Sequence, residues 1–319
     1  MIQWKSMGIW FGDEKKFVYF RKIDDKVEVL SSLQRPKKIT VKGTDGKQYI
    51  ILCKANDDLR KDSSLLQFNN LLNQFFTRDA ETRKRQLRIK TYFVVALSDN
   101  TGLIEWIPKL KAYKSIIEGQ YRINGGYGDL QDPPKKLLYF EGKSLRHKID
   151  IFKNEVLPKF VPPVFAQWYI ENYSDPLSWF LARMAFARTS AVFSITGYLF
   201  GLGDRHGENI LICDETGEAV HVDLNCLFNR GEDFKVPEKV PFRLTHNMIN
   251  AMGPTGFDGP FRKACEHTLR VIRNNKESLL NFVTPIYYDH LMEWYSTNIE
   301  LSQFQGMKEE CISKQVFFS

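Results

Sequence analysis

The sequence predicts an α+β fold of two unequal lobes, a small strand-rich one followed by a larger helical one. Three observations carry this. Short β-branched runs separated by glycine turns dominate the chain up to residue 104. A glycine- and proline-rich stretch at 119–134 then marks a change of pattern. Beyond it, long apolar stretches continue without strand alternation. The expected division is 1–104 for the first lobe, 105–108 for a hinge, 109–295 for the second lobe and 296–319 for a C-terminal extension.

Taken in order, Lys37 to Lys42 and Gln48 to Cys53 are β-rich runs around Gly43, Thr44, Asp45 and Gly46, which predicts a hairpin. Asp62 then precedes Leu65, Leu66, Phe68, Leu71, Leu72, Phe75 and Phe76, an apolar stripe at helical spacing with Asp62 a candidate N-cap. Residues 91–97 return to strand chemistry, 102–108 read as an extended connector and 119–134 as a loop. Helices are expected over 149–157, 165–173 and 178–200. Asn209 to Cys213 and Ala219 to Asp223 are β-type runs joined by a turn-rich linker, 214–218. Symmetric closure of that hairpin sets Cys213 near Ala219 and Asn209 opposite Asp223.

A chain of 319 residues with 43% hydrophobic content is able to bury sizeable cores. Its five cysteines (Cys53, Cys213, Cys226, Cys265, Cys311) are odd in number, scattered and form no CxxC pair, which points away from a disulfide scaffold or zinc site and toward a reducing compartment. The apolar-leaning run at 191–203 is broken by Ser194 and Thr196 and falls short of the ~20 residues that cross a bilayer. Met1 to Lys5 lacks signal-peptide order. The net charge of +7 concentrates at Arg83, Lys84, Arg85, Arg88 and Lys90, but Asp79 and Glu81 interleave, as on a solvated helix face. Neither direct nucleic-acid binding nor a membrane is expected.

The chemistry is carried by Gly203-Asp204-Arg205-His206-Gly207-Glu208-Asn209 and by Asp223. Asn209 and Asp223, set across a hairpin, offer an amide oxygen and a carboxylate to one cation, a donor pair suited to magnesium. Asp204 stands five residues before Asn209, the spacing between the catalytic-loop aspartate and the metal-binding asparagine of protein kinases. Its expected job is to accept or orient the proton of an attacking hydroxyl, with His206 donating toward developing phosphoryl charge. Arg205 is expected to be structural, paired with a buried carboxylate. Any one of these residues alone is most simply a turn or a cap; their common register is what points to phosphoryl transfer.

These residues, with His221-Val222-Asp223, resemble the catalytic loop and metal-binding motif of the phosphatidylinositol 3-kinase-related protein kinases, whose order is inverted relative to ordinary kinases. The resemblance continues through Leu33 to Lys38, Lys54 to Asp62, Gly102 to Trp106 and Val240 to Thr245, and covers roughly residues 30 to 290. It implies a protein-kinase-like (PI3/PI4-kinase) fold. Ser32-Leu33-Gln34-Arg35-Pro36, Cys53-Lys54 before Asp57 and Asn225-Cys226-Leu227-Phe228-Asn229 are most similar to the ATR-type DNA-damage checkpoint Ser/Thr kinases.

The resemblance assigns roles residue by residue. It implies that Lys54 contacts the nucleotide phosphates, that Asp62 orients it and that Asp57 is an acidic neighbour. Ser32 belongs to the phosphate-covering loop. Tyr92, Ile104, Trp106 and Ile107 wall the adenine pocket, the backbone of Glu105 and Ile107 meets the base, and Leu211 and Val222 form the floor. ATP is then the co-substrate and Mg2+ or Mn2+ the cofactor. Protein substrates at Ser/Thr-Gln sites, a regulatory partner and a nuclear location are implied in the same way. Two departures stand out: Asp223-Leu224-Asn225 replaces Asp-Phe-Gly, and 296–319 has no recognisable FATC segment.

Two other readings compete, a phosphoinositide lipid kinase and a catalytically silent nucleotide-binding fragment. A lipid kinase calls for a dense basic cluster after Asp223. Here Arg230, Lys235, Lys239 and Arg243 are nearly balanced by Glu232, Asp233 and Glu238, which favours a protein acceptor.

Overall fold

The computed structural model describes residues 18–31, 34–123 and 144–298. A five-stranded antiparallel sheet comes first, in the order β1-β2-β3-β5-β4. Its strands are β1 (Phe20–Val29), β2 (Lys37–Gly43), β3 (Gln48–Ala55), β4 (Val94–Ser98) and β5 (Thr101–Glu105). The expected hairpin is β2–β3, with Lys42 paired to Gln48 across the turn. Its small core is Val41, Ile51 and Phe93.

Between β3 and β4 lie α1 (Arg60–Arg78) and the short α2 (Ala80–Lys84). The apolar stripe of α1 buries Leu65, Leu66, Phe68, Leu72, Phe75 and Phe76. That face does not serve the sheet's own core. It joins one large cluster with the C-terminal helices, where Phe68 meets Phe200 edge-on at 4.8 Å between ring centroids and Phe282 at 6.2 Å. Asp62 is buried in the first turn, and the cap position belongs to Leu59.

After Glu105 the chain turns at Pro108 and Lys109 into β6 (Leu110–Ala112), which pairs with β7 (Ile210–Cys213), itself paired with β8 (Ala219–His221), in a second sheet. The helical part comprises α3 (Tyr113–Ile123), α4 (Leu145–Ile151), α5 (Val164–Asn172), α6 (Pro176–Leu199), α7 (His246–Ala251), α8 (Pro260–Asn274) and α9 (Lys276–Asn298). Helix α6 opens with Asp175 accepting from the Ser178 N–H and with Pro176 in its first turn, a strong start signal. Its second half, Ala191 to Gly197, is buried, and Ser194 and Thr196 lie inside it. Among the described residues no helix is long and apolar enough to cross a membrane.

The structure departs from the sequence reading at four further places. Strand β1 is an addition, its alternation masked by Asp24, Asp25 and Lys26. Gly102 to Glu105, read as connector, forms most of β5; a Cβ at Gly102 would lie 2.5 Å from the Val95 carbonyl, so this glycine permits close strand approach. Gly119 to Ile123, read as loop, completes α3, and 124–134 lies outside the described residues. The β7–β8 register is one residue away from symmetric closure: Ile210 pairs with His221, and Cys213 donates to the Glu218 carbonyl at 2.9 Å. Gly217 at φ +72° ends the turn early enough for Glu218, rather than Ala219, to face Cys213.

The basic patch is largely paired. Arg85 bonds Glu81, Arg88 reaches the buried Glu218 at 2.6 Å and Lys90 lies 3.9 Å from the same carboxylate. Cys53, Cys213, Cys226 and Cys265 are all free thiols.

Candidate active site

The candidate catalytic loop is shaped by its backbone. Asp204 and Asp223 both adopt left-handed conformations, φ +59° and +57°, which few non-glycine residues take and which cluster at functional sites. Asn209 secures the loop by donating from Nδ2 to the Asp204 carbonyl at 2.9 Å, while its N–H donates to the His206 carbonyl at 3.0 Å. With Nδ2 committed, Oδ1 is the Asn209 atom left for a cation.

The one-residue register shift places Asn209 opposite Val222, whose N–H donates to the Asn209 carbonyl at 3.0 Å. Asp223 therefore follows the ladder instead of facing Asn209 within it, and its left-handed φ turns the chain away there. The direct opposition expected from the sequence is thus corrected to a diagonal relation.

His206 is oriented by its own loop. The Glu208 N–H donates to Nδ1 at 3.2 Å, which fixes the neutral ring with its proton on Nε2. That nitrogen lies 3.8 Å from Asp204 Oδ1. Both side chains keep substantial solvent access, 49% and 36%. The pair can therefore meet a substrate.

Arg205 is buried and structural, but its partners are carbonyls rather than the expected carboxylate. It donates to Gly203 and Val222 at 2.9 Å each and also to Asp223. One guanidinium thus ties the catalytic loop to the segment that ends in Asp223. Burial pushes its pKa down, and the charges of Asp223, Asp204 and Asp62 oppose that shift.

The expected lysine–carboxylate pair exists with a different partner. Lys54 Nζ bonds Asp57 Oδ2 at 2.8 Å, and both side chains are mostly buried. Burial alone lowers the lysine pKa; the bond to Asp57 and the fields of Asp57, Asp223 and Asp62 outweigh it, and the net shift is upward. Lys54 stays charged. Asp62, to which the resemblance gave the orienting role, instead accepts the Leu224 N–H at 2.8 Å. Its carboxyl is pushed up to about 6 by burial, held back by the Leu224 bond and pushed further by Asp223. Asp62 therefore supports the segment beside Asp223, and the fully buried Leu224 packs where an Asp-Phe-Gly segment has phenylalanine.

Of the residues that the resemblance assigns to an adenine pocket, Tyr92 is buried and bonds the His221 carbonyl at 3.3 Å. Ile104, Ile107, Leu211 and Val222 are partly buried against the large core, at the seam between the two sheets. Trp106 lies under Lys38, whose Nζ is 4.7 Å from the ring centroid. The Glu105 N–H is taken by the Phe93 carbonyl at 2.9 Å, and its carboxylate accepts the Phe93 N–H at 3.0 Å. Ser32 lies outside the described residues.

Sequence reasoning missed two groups. His221 is stacked on Phe193 with centroids 3.8 Å apart, and burial drives its pKa far down, so it is a neutral packing element. Glu238 accepts the Asp204 N–H at 2.7 Å. A lone acid in a mixed-charge segment carries no signal for that contact.

The sequence profile of "Phosphatidylinositol 3- and 4-kinase" matches residues 48–296. The chain belongs to this kinase family. The protein kinase rad3 of Schizosaccharomyces pombe is 48% identical over 276 residues, 86% of this chain and 11% of that protein. The serine/threonine-protein kinase ATR of Drosophila melanogaster is 44% identical over 283 residues, 88% of this chain and 11% of its own length. Among solved structures, the FAT and kinase domain of CtTel1 superposes with a TM-score of 0.79 at 31% identity, covering 95% of this chain and 21% of that one. The chain spans about a tenth of the length of the curated relatives. The kinase-family segment holds Lys54, Asp204, His206, Asn209 and Asp223, and begins after Ser32.

Proposed function

We propose that this chain carries the catalytic centre of an ATP-dependent Ser/Thr protein kinase of the ATR type, acting in DNA-damage and replication checkpoint signalling in the nucleus. The observation that carries the reading is the Asp204–His206–Asn209 loop, closed on itself by the Asn209 amide and tied to Asp223 by Arg205.

Lys54, kept charged by Asp57, binds the nucleotide phosphates. The Glu105 carbonyl receives the exocyclic amine of adenine, since its N–H is already taken. Tyr92, Ile104, Trp106 and Ile107 wall the base, over Leu211 and Val222. Asn209 Oδ1 and the Asp223 carboxylate would hold Mg2+ or Mn2+. Two protein oxygens suit such an ion, which takes the rest of its shell from phosphates and water. When bound, the metal neutralises phosphate charge. Asp204 accepts the proton of the substrate hydroxyl, and His206 donates its Nε2–H toward the transferring phosphoryl group.

The acceptor is a protein, with Ser/Thr-Gln sites and a regulatory partner proposed from the relatives. The near-balanced segment between Asp223 and Arg243 gives no dense basic face for a lipid headgroup. Incubation with radiolabelled ATP and magnesium is expected to label a Ser-Gln peptide and not phosphoinositide vesicles. Asp204→Ala and Asp223→Ala are expected to abolish labelling. Equal labelling by wild type and both variants sinks the mechanism, and labelling of vesicles alone replaces the protein acceptor with a lipid one.

A further inference from the structure

Residues 232–240 form an exposed stretch beyond the metal-side segment, with Phe234, Val236 and Val240 open to solvent at 40%, 70% and 70%. Glu238 is the one position in that stretch that is not exposed. Its Oε2 accepts the Asp204 N–H at 2.7 Å, and its own N–H donates to the Gly231 carbonyl at 3.0 Å.

The carboxylate sits in a space made by two glycines. A Cβ at Gly203 would come within 2.7 Å of Glu238 Oε2, and one at Gly231 within 2.5 Å of it. Gly203 is held in turn by its N–H bond to the Cys226 carbonyl at 2.8 Å. Asp204 thus has its N–H fixed by Glu238 and its C=O fixed by Asn209, at a left-handed φ that costs any residue with a Cβ more than it costs glycine. Its carboxylate accepts a longer bond from Asn209 Nδ2 at 3.4 Å and keeps 36% solvent access toward a substrate.

We propose that Glu238 is a positioning residue for Asp204: it holds the left-handed backbone of the catalytic loop from outside and couples the loop to the exposed stretch 232–240. This rests on the kinase reading above. The bond is to a charged acceptor and so is stronger than an ordinary amide contact. Its geometry requires an acceptor oxygen at Glu238, not a charge as such.

Residue-resolved hydrogen–deuterium exchange and steady-state kinetics on the full chain test this with Glu238→Ala and Glu238→Gln. In Glu238→Ala the Asp204 amide is expected to exchange at least about tenfold faster, the range set by loss of a hydrogen bond to a charged group. The same variant should lose about tenfold or more in kcat on a serine peptide, with KM for ATP within about twofold, because the lost contact serves the transfer step and not nucleotide binding. Glu238→Gln retains the acceptor and should recover both quantities to within about threefold. Wild-type kcat in Glu238→Ala, unchanged exchange at Asp204, or equal losses in the two variants overturns the proposal. If Glu238→Ala does not fold, Glu238→Asp, too short by one methylene, takes its place with the same expected direction. If the wild type transfers no phosphate, the proposed function has failed on its own and Asp204 exchange decides the loop-holding role.

Discussion

The five-stranded sheet and the helical body are built to different standards. The sheet closes on a core of Val41, Ile51 and Phe93, and its edge strand β1 leaves Ile23, Val27 and Val29 about half exposed, at 55%, 51% and 49%. The helical body has one continuous core, and α1, although it lies between sheet strands in the sequence, belongs to that core through Phe68. The difference shows how the site is assembled. Lys54 and Asp57 ride on the sheet side, paired with each other, whereas Asp62 rides on α1 with the helical body and supports Leu224. The residues proposed to meet nucleotide and metal thus sit on two units that meet at the seam.

The sharpest way to break this comparison is to truncate the anchor of α1. Phe68→Ala should cost about 3–5 kcal/mol in chemical denaturation, and Ile51→Val in the sheet only about 0.5–1.5 kcal/mol. Equal costs would show that α1 is not committed to the helical core.

A smaller effect of opposite sign is expected at Asp62. Its folded pKa, about 6, lies above the ~3.9 of an unfolded aspartate. The stability it contributes is therefore fully present below about pH 4 and lost as pH rises through about 6. Asp62→Asn keeps an acceptor for Leu224 and removes the buried charge. It should stabilise the nucleotide-free protein on the order of 2 kcal/mol at pH 8, with the gain vanishing near pH 4. A pH-independent gain would assign the effect to packing instead.

The weakest test concerns the salt bridge that ties α2 to α8. Asp79 caps α2 and accepts two bonds from Arg270 of α8, at 3.0 and 2.7 Å, and that pairing holds its pKa well below the carboxylate range. The stability this adds is present above about pH 4 and lost as pH falls through the depressed value. Because both side chains are partly exposed, Arg270→Ala should cost no more than about 1 kcal/mol at pH 7. Thermal melts across pH would check it.

What was legible in the sequence follows from the range of each interaction. The β2–β3 hairpin, the α1 stripe and the start of α6 are set by neighbouring residues, and their patterns were readable. The Asp204–Asn209 spacing was readable because the two residues meet within one loop, the Asn209 amide bonding the Asp204 carbonyl. Strand β1 was hidden by its charged residues, and the β7–β8 register depended on the left-handed turn at Gly217. The partners of Lys54, Asp62 and Arg205 are settled by folding in three dimensions. Glu238 meets Asp204 from 34 positions away, and no local pattern encodes that approach.

The central claim is that Lys54 is held by Asp57 on the sheet side while Asp62 serves the helical side. A double-mutant cycle on Mg·ATP affinity, with Lys54→Met combined in turn with Asp57→Asn and Asp62→Asn, tests it most directly. The structure predicts a coupling of about 1 kcal/mol or more for Lys54 with Asp57 and under about 0.5 kcal/mol for Lys54 with Asp62. The reverse ranking would contradict the account.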